Sequence, residues 1–114
     1  MPLTITNRPK GRVTVLDLNG QLILGTETAN LRETLKDLIS TGQNRILLNM
    51  EDVSYIDSSG LGALVGGYTS ATAAQGQIKL VKLSKKANDI LQFTKLLTVF
   101  ESFDDEETAV DSFR

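Results

Sequence analysis

The spacing of apolar residues changes period repeatedly along this chain, and each change marks an element. Leu3-Thr4-Ile5-Thr6 alternates and predicts an edge strand, with a turn at Pro9-Lys10-Gly11. Arg12 to Asn19 alternates at Val13 and Val15, with Leu16 or Leu18 continuing the pattern, and predicts a second strand paired to the first in a hairpin. Asn19-Gly20 is expected to break it, leaving Gln21 to Gly25 as a short apolar connector. The period then becomes helical. Leu31, Leu35, Leu38 and Ile39 share one face of a helix, Thr26 or Thr28 can cap it, and Gly42 suits its C-terminal end. Arg45-Ile46-Leu47-Leu48-Asn49-Met50 is the most apolar run. It predicts a central strand covered on both faces and parallel to a neighbour, followed by an acidic turn at Glu51-Asp52.

From Gly60 to near Gly76 the helical period returns with two stripes. One carries Leu61, Leu64, Val65, Tyr68, Thr72 and Gln75; the other is made of small residues, Ala63, Gly66, Gly67, Ser70 and Ala74. An internal helical glycine costs about 1 kcal/mol relative to alanine, so something must offset these. Either the helix packs tightly on the sheet, or its small face lets a partner approach closely. Gln77 to Leu83 predicts a further strand, Ser84 caps a helix carrying Ala87, Ile90, Leu91 and Thr94, and Thr98 to Glu101 predicts a short last strand. A terminal helix follows, docked by Ala109, Val110 and Phe113, with Asp104 and Glu107 at capping-box spacing. Its acidic run complements the helix dipole, which explains it better than a metal site does. The order β-β-α-β-α-β-α-β-α implies one α/β domain. Its sheet should be mostly parallel, with four to five strands, an N-terminal hairpin and about four helices.

Composition narrows the chemistry. The 114 residues suit a single domain, and 40% hydrophobic residues with only 5% aromatic leave the core to Leu, Ile and Val. A net charge of −2 without basic clusters argues against nucleic acid. Cysteine and histidine are both missing from the sequence, which removes disulfides, thiolate chemistry, and the commonest general base and metal ligand. The first residues show no signal pattern, and no apolar run approaches the ~20 residues of a membrane span, so a cytoplasmic location is expected. Nucleotide-binding glycine motifs and Gly-x-Ser-x-Gly are missing too. Glu51, Asp52 and Asp57 could bind a metal only as carboxylates, and solvated loop acids describe them better. Independent catalysis is therefore not expected, nor is a cofactor.

What remains is Tyr55-Ile56-Asp57-Ser58-Ser59-Gly60-Leu61-Gly62, a strand-to-helix junction with two hydroxyls. Ser58 or Ser59 can serve as the N-cap, which contributes about 1 kcal/mol. One hydroxyl suffices, so the other is available at the surface. A phosphate there would gain N–H donors and a favourable dipole, and would add roughly −2 charge against any docked partner.

The run from Leu47 to Gly62, with its Asp57-Ser58-Ser59-Gly60-Leu61-Gly62 core, resembles the signature of STAS domains, specifically the stand-alone bacterial anti-sigma-factor antagonists. The likeness extends across the chain, including Asn19-Gly20-Gln21-Leu22, the strand from Gly76 to Leu83, and Leu96. It implies a STAS-like domain over residues 1–114 that binds an anti-sigma factor doubling as a serine kinase, and thereby frees a sigma factor. The resemblance makes Ser58 the residue that the kinase phosphorylates with ATP and Mg²⁺, a modification that a PP2C-type phosphatase reverses. It puts Asp57 beside the acceptor, makes Ser59, Gly60 and Gly62 shape the helix start, and assigns Ala63, Gly66 and Gly67 to the docking face. Many members carry an acid at the position of Ile23, where this chain is neutral. The alternative is a STAS interaction module of another signalling scaffold or transport complex, in which Ser58 is only a cap. A monomer is expected for the free protein.

Overall fold

In the computed structural model, which describes residues 3–114, a five-stranded sheet carries four helices. The strands are β1 (Thr4–Lys10), β2 (Val13–Leu22), β3 (Arg45–Ile56), β4 (Gln77–Val81) and β5 (Ser102–Phe103). The helices are α1 (Thr26–Ser40), α2 (Ser58–Ala73), α3 (Lys85–Phe93) and α4 (Glu106–Asp111). The strands lie in chain order, β1 antiparallel to β2 and every later pair parallel. Right-handed crossovers between successive parallel neighbours put α1, α2 and α3 on one face. There Leu31, Leu35, Ala63, Leu64, Ala71, Ala87 and Leu91 meet Leu16, Leu18, Ile46, Leu48, Met50 and Leu80 in the main core. On the opposite face, Val13, Val15, Leu47 and Val81 form a smaller core with Ala109, Val110 and Phe113 of α4. The period-two patterns of β2 and β3 are thus divided between two cores, as expected for strands covered on both sides.

Several expected boundaries move, each for a tertiary reason. Pro9 lies within β1 opposite Thr14, and the turn falls on Gly11 and Arg12. Asn19-Gly20 does not end β2. The strand runs on to Leu22 with register shifts between Asp17 and Asn19 and between Gly20 and Gln21, because β3 continues beside it. The acidic pair Glu51-Asp52 is not a turn either: β3 runs straight through it to Ile56, with Asn19 opposite Asp52 and Leu22 opposite Ile56. On the other edge β4 stops pairing at Asn49, and Ser84 replaces it, its N–H donating to the Met50 carbonyl and its hydroxyl to the Val53 carbonyl. The same hydroxyl caps α3, as expected.

Neither Thr26 nor Thr28 caps α1; Gly25 occupies that position with φ 125° and no side-chain cap, and the buried Thr28 hydroxyl bonds back to its carbonyl. Asp105, not Asp104, caps α4 through the Thr108 N–H. The last strand is displaced: Leu96–Thr98 forms a 3₁₀ turn, and only Ser102–Phe103 pairs with β4.

Polar contacts fasten the ends of the chain to the sheet. Arg8 donates from Nε to Asp17 (2.6 Å) and from Nη2 to Glu106 (2.7 Å), joining β1, β2 and α4, while Asn49 donates to Asp17 from β3 (2.8 Å). Lys79 is 4% exposed; its Nζ donates to the Ser112 carbonyl (3.0 Å) and hydroxyl (2.9 Å) and lies 5.0 Å from the centre of the Phe113 ring. A cation buried on β4 is tolerable only with such partners. These contacts hold α4 over the second core.

The Arg8 hydrogen bonds hold the carboxyls of Asp17 and Glu106 below their ordinary range. Folded pKa values below the unfolded ones of roughly 4 mean that the unfolded chain binds more protons in the acid range. The stabilisation is therefore complete above about pH 5 and lost as pH falls through the lowered values. Chemical denaturation of the natural chain and Arg8→Met at several pH values should show a stability gap that is widest near neutrality and closes towards about pH 2. A gap independent of pH would contradict this account.

Candidate functional site

The end of β3 and the start of α2 meet at Asp57. Its backbone is extended (φ −99°, ψ −174°), its N–H donates to the Leu22 carbonyl, and the next residue already belongs to the helix. The helix cap is Asp57 itself, not Ser58 or Ser59 as helix-start chemistry had suggested. One carboxylate oxygen accepts from the Gly60 N–H at 2.9 Å, and the other accepts from the Leu24 N–H at 2.9 Å. The first bond satisfies a donor that a helix start leaves open. The second ties the loop between β2 and α1 to the start of α2. These amides, Leu24 first, hold the Asp57 carboxyl below its usual range, so it is an anion throughout the neutral range.

With Asp57 acting as cap, both serine hydroxyls are released from that role. Ser58 is the first helical residue and exposed; Ser59 is half-buried. Neither hydroxyl makes a hydrogen bond to the described residues. A free primary hydroxyl on an ordered helix start is a good acceptor for group transfer by another active site. It has no base of its own, because Asp57 spends both oxygens on backbone amides.

The glycines of α2 divide into two sets. Gly60 is buried, and a β-carbon there would run into the Leu22 carbonyl; its need is for space, since its φ is an ordinary one. Gly67 is buried against Leu35, whose Cδ1 would lie 2.6 Å from an added β-carbon, and Ala63 is buried beside it in the core. Tight packing on α1 and β2 therefore accounts for Gly60 and Gly67. Gly62 is exposed and Gly66 half-buried, and above both lies the Arg32 guanidinium of α1. Between α1 and α2 a groove of about 380 Å³ opens, with Leu35, Ile39, Ala63 and Gly67 on its floor and Arg32 and Lys36 at its rim.

Two further exposed residues near the junction escape a reading of the sequence. Leu24 is 75% exposed although apolar, because its N–H is held by Asp57 while its side chain faces outward. Tyr55, near the end of β3, is 45% exposed. The only advance signal for Leu24 was an apolar residue just before Gly25. Ile23 is half-buried next to it. Among the described residues no group of three metal-ligating side chains forms, and no helix is long and apolar enough to cross a membrane.

Asp57→Ala should speed hydrogen exchange at the Leu24 and Gly60 amides and leave the amides around Gly42 at the end of α1 unchanged. Gly60→Ala should lower stability by about 1–3 kcal/mol, measured by urea denaturation, because the added methyl has no room beside the Leu22 carbonyl.

Comparison with known proteins agrees with the fold. The family model described as the STAS domain matches residues 4–109. The anti-sigma-B factor antagonist of Bacillus subtilis is 34% identical over 71 residues, 62% of this chain and 64% of that protein. A crystal structure of a Thermotoga maritima protein superposes with a TM-score of 0.89 at 25% identity, over 96% of this chain and 94% of that one. The anti-sigma factor antagonist SpoIIAA of Bacillus is similar in both its unphosphorylated and its phosphorylated form, at 26% identity over 95% of this chain. The unphosphorylated form has a TM-score of 0.81 and covers 94% of that chain; the phosphorylated form has 0.76 and covers 97%. With a family match over nearly its whole length and a sheet, helix order and strand-to-helix junction to suit, this chain belongs to the STAS domain family, among relatives that are anti-sigma factor antagonists.

Proposed function

We propose that this protein is an anti-sigma-factor antagonist whose binding is switched by phosphorylation of Ser58. In the unmodified state it docks on an anti-sigma factor that is also a serine kinase, and the sigma factor is released. The kinase transfers the γ-phosphoryl group of ATP to the Ser58 hydroxyl, and the docked state is lost. A PP2C-type phosphatase removes the phosphate and restores it.

The observation that carries this reading is the division of labour at the junction. Asp57 supplies the cap and the loop clasp, so the exposed Ser58 hydroxyl contributes no bond to the fold. A phosphate at the first helical position meets the positive end of the helix, so modification leaves the domain folded and changes only its surface. The exposed Leu24 and Tyr55 near that position offer apolar contacts to a docked protein, and Gly62 and Gly66, further along α2, present the Arg32 guanidinium that lies over them. Gly60, Ala63 and Gly67 serve the same surface from beneath, by setting how closely α2 lies on β2 and α1. Ser59, half-buried in the first turn, and Asp57 hold its shape.

The magnitudes suit a switch. A phosphate that costs about 3 kcal/mol of partner affinity lowers binding roughly a hundredfold, enough when partner concentration lies between the two dissociation constants. Calorimetric titration of the anti-sigma factor from the same organism should give tight binding for the natural chain and for Ser58→Ala. Ser58→Asp should bind at least tenfold more weakly. Phosphopeptide mapping of protein from its native cells should find one phosphate, on Ser58. Equal affinities for the two variants, or a chain never phosphorylated under any growth condition, would reject the reading.

A further inference from the structure

Arg32 lies in the second turn of α1, and its guanidinium reaches across to α2. Nη2 stands 3.3 Å from where a β-carbon on Gly62 would be, and Nη1 stands 3.4 Å from the same point on Gly66. Among the described residues, neither an ion pair nor a hydrogen bond engages this guanidinium. It is an exposed cation lying over another helix with no anion beside it.

Its placement has a direction. α1 and α2 follow adjacent parallel strands and so run the same way. A long side chain on a helix leans towards that helix's start, so Arg32 leans towards the Ser58 end of α2. Ser58 and Ser59 precede Gly62 by four and three positions, on the same face and about 5.4 Å nearer the helix start. Any side chain at position 62 would stand between the guanidinium and Ser58; glycine leaves that path open. The open α1–α2 groove begins at Arg32 and runs the other way, towards Ile39 and Ser70, so the guanidinium is not packed in on that side.

We propose that Arg32 is a built-in receptor for the phosphate on Ser58, swinging one turn along the glycine face of α2 to form a bidentate guanidinium–phosphate pair. The planar fork of arginine matches phosphate oxygens, and such charge-assisted pairs are the strong ones. The modification then acts on a partner twice. It places a dianion on the docking surface, and it moves Arg32 from above Gly62 and Gly66 to the helix start, bridging α1 and α2. A partner fitted to the unmodified surface loses both the neutral hydroxyl and the guanidinium it met there.

The inference rests on Ser58 being the acceptor, but its test does not need the kinase. Phosphoserine is installed genetically at position 58 of the full chain, and its second ionisation is followed by ³¹P NMR. Phosphoserine ordinarily titrates near pH 6. Asp57 and the helix start act on the phosphate equally in every variant, so the difference between variants reports Arg32 alone. The titration midpoint of the Arg32 chain should lie at least half a unit below that of Arg32→Gln, with Arg32→Lys between them because it keeps the charge and loses the fork. The Arg32 Nε–H resonance should shift over the same pH range. Coincident titrations for Arg32 and Arg32→Gln would overturn the inference. That result would leave phosphorylation of Ser58 in cells, read by phosphopeptide mapping, standing or falling separately.

Discussion

The parallel ladder between β2 and β3 is the constraint on which this structure depends. It continues past the point where β4 ceases to pair, carrying β3 out to Ile56 and β2 out to Leu22. At that outer end the Leu22 carbonyl accepts the Asp57 N–H and sets the floor against which Gly60 must fit. A shorter ladder would leave the start of α2 without a fixed height above the sheet. The register of two strands thus becomes the position of one serine hydroxyl.

Asp57 converts that position into a surface. Its two oxygens are shared between a helix start and a neighbouring loop, and both partners are backbone amides. Such bonds constrain the chain without committing other side chains, so Ser58, Leu24 and Tyr55 remain exposed around a fixed centre. In the proposed docking, the backbone tied by Asp57 would lose little further freedom on binding. The small residues of α2 support the same end from below. Gly60 and Gly67 let the helix settle closely on β2 and α1, and Gly62 leaves room on the outer face for the Arg32 guanidinium.

The other end of the molecule is fastened by charge. Arg8, Asp17, Asn49 and Glu106 link three strands to the terminal helix, and Lys79 is enclosed by Ser112 and the Phe113 ring. These contacts lie beside the second core, which is small and needs α4 over it to exclude water. The site and its anchoring are therefore separated: one face of the sheet carries the three helices that present Ser58, and the other carries the helix that stabilises the sheet.

Much of this was legible in the chain itself. Period-two runs at Val13 to Leu18 and Ile46 to Met50, helical stripes at Leu31 to Ile39 and from Leu61 onward, and Ser84 as a cap all report local rules: which face is apolar, and which side chain satisfies a helix start. The alternation of strands and helices determined the fold class, and the lack of His and Cys removed the chemistry that needs an imidazole or a thiolate. The Asp57 to Gly62 run marked the strand-to-helix junction on which the proposed function rests. What the sequence alone left open was decided by contacts distant along the chain. Asn19-Gly20 and Glu51-Asp52 carry turn chemistry, yet both lie in strands because β2 and β3 pair alongside each other through them, with Asn19 opposite Asp52 and Gly20 opposite Val53. Asp57, Ser58 and Ser59 are all competent caps; the Leu24 amide, 33 positions earlier, holds the second oxygen of Asp57 and releases both serines. Arg32 reads as one more exposed cation on a helix until α1 and α2 are laid side by side. Local sequence sets what each residue can do. Packing decides which of several competent residues does it, because only packing brings in partners from elsewhere in the chain.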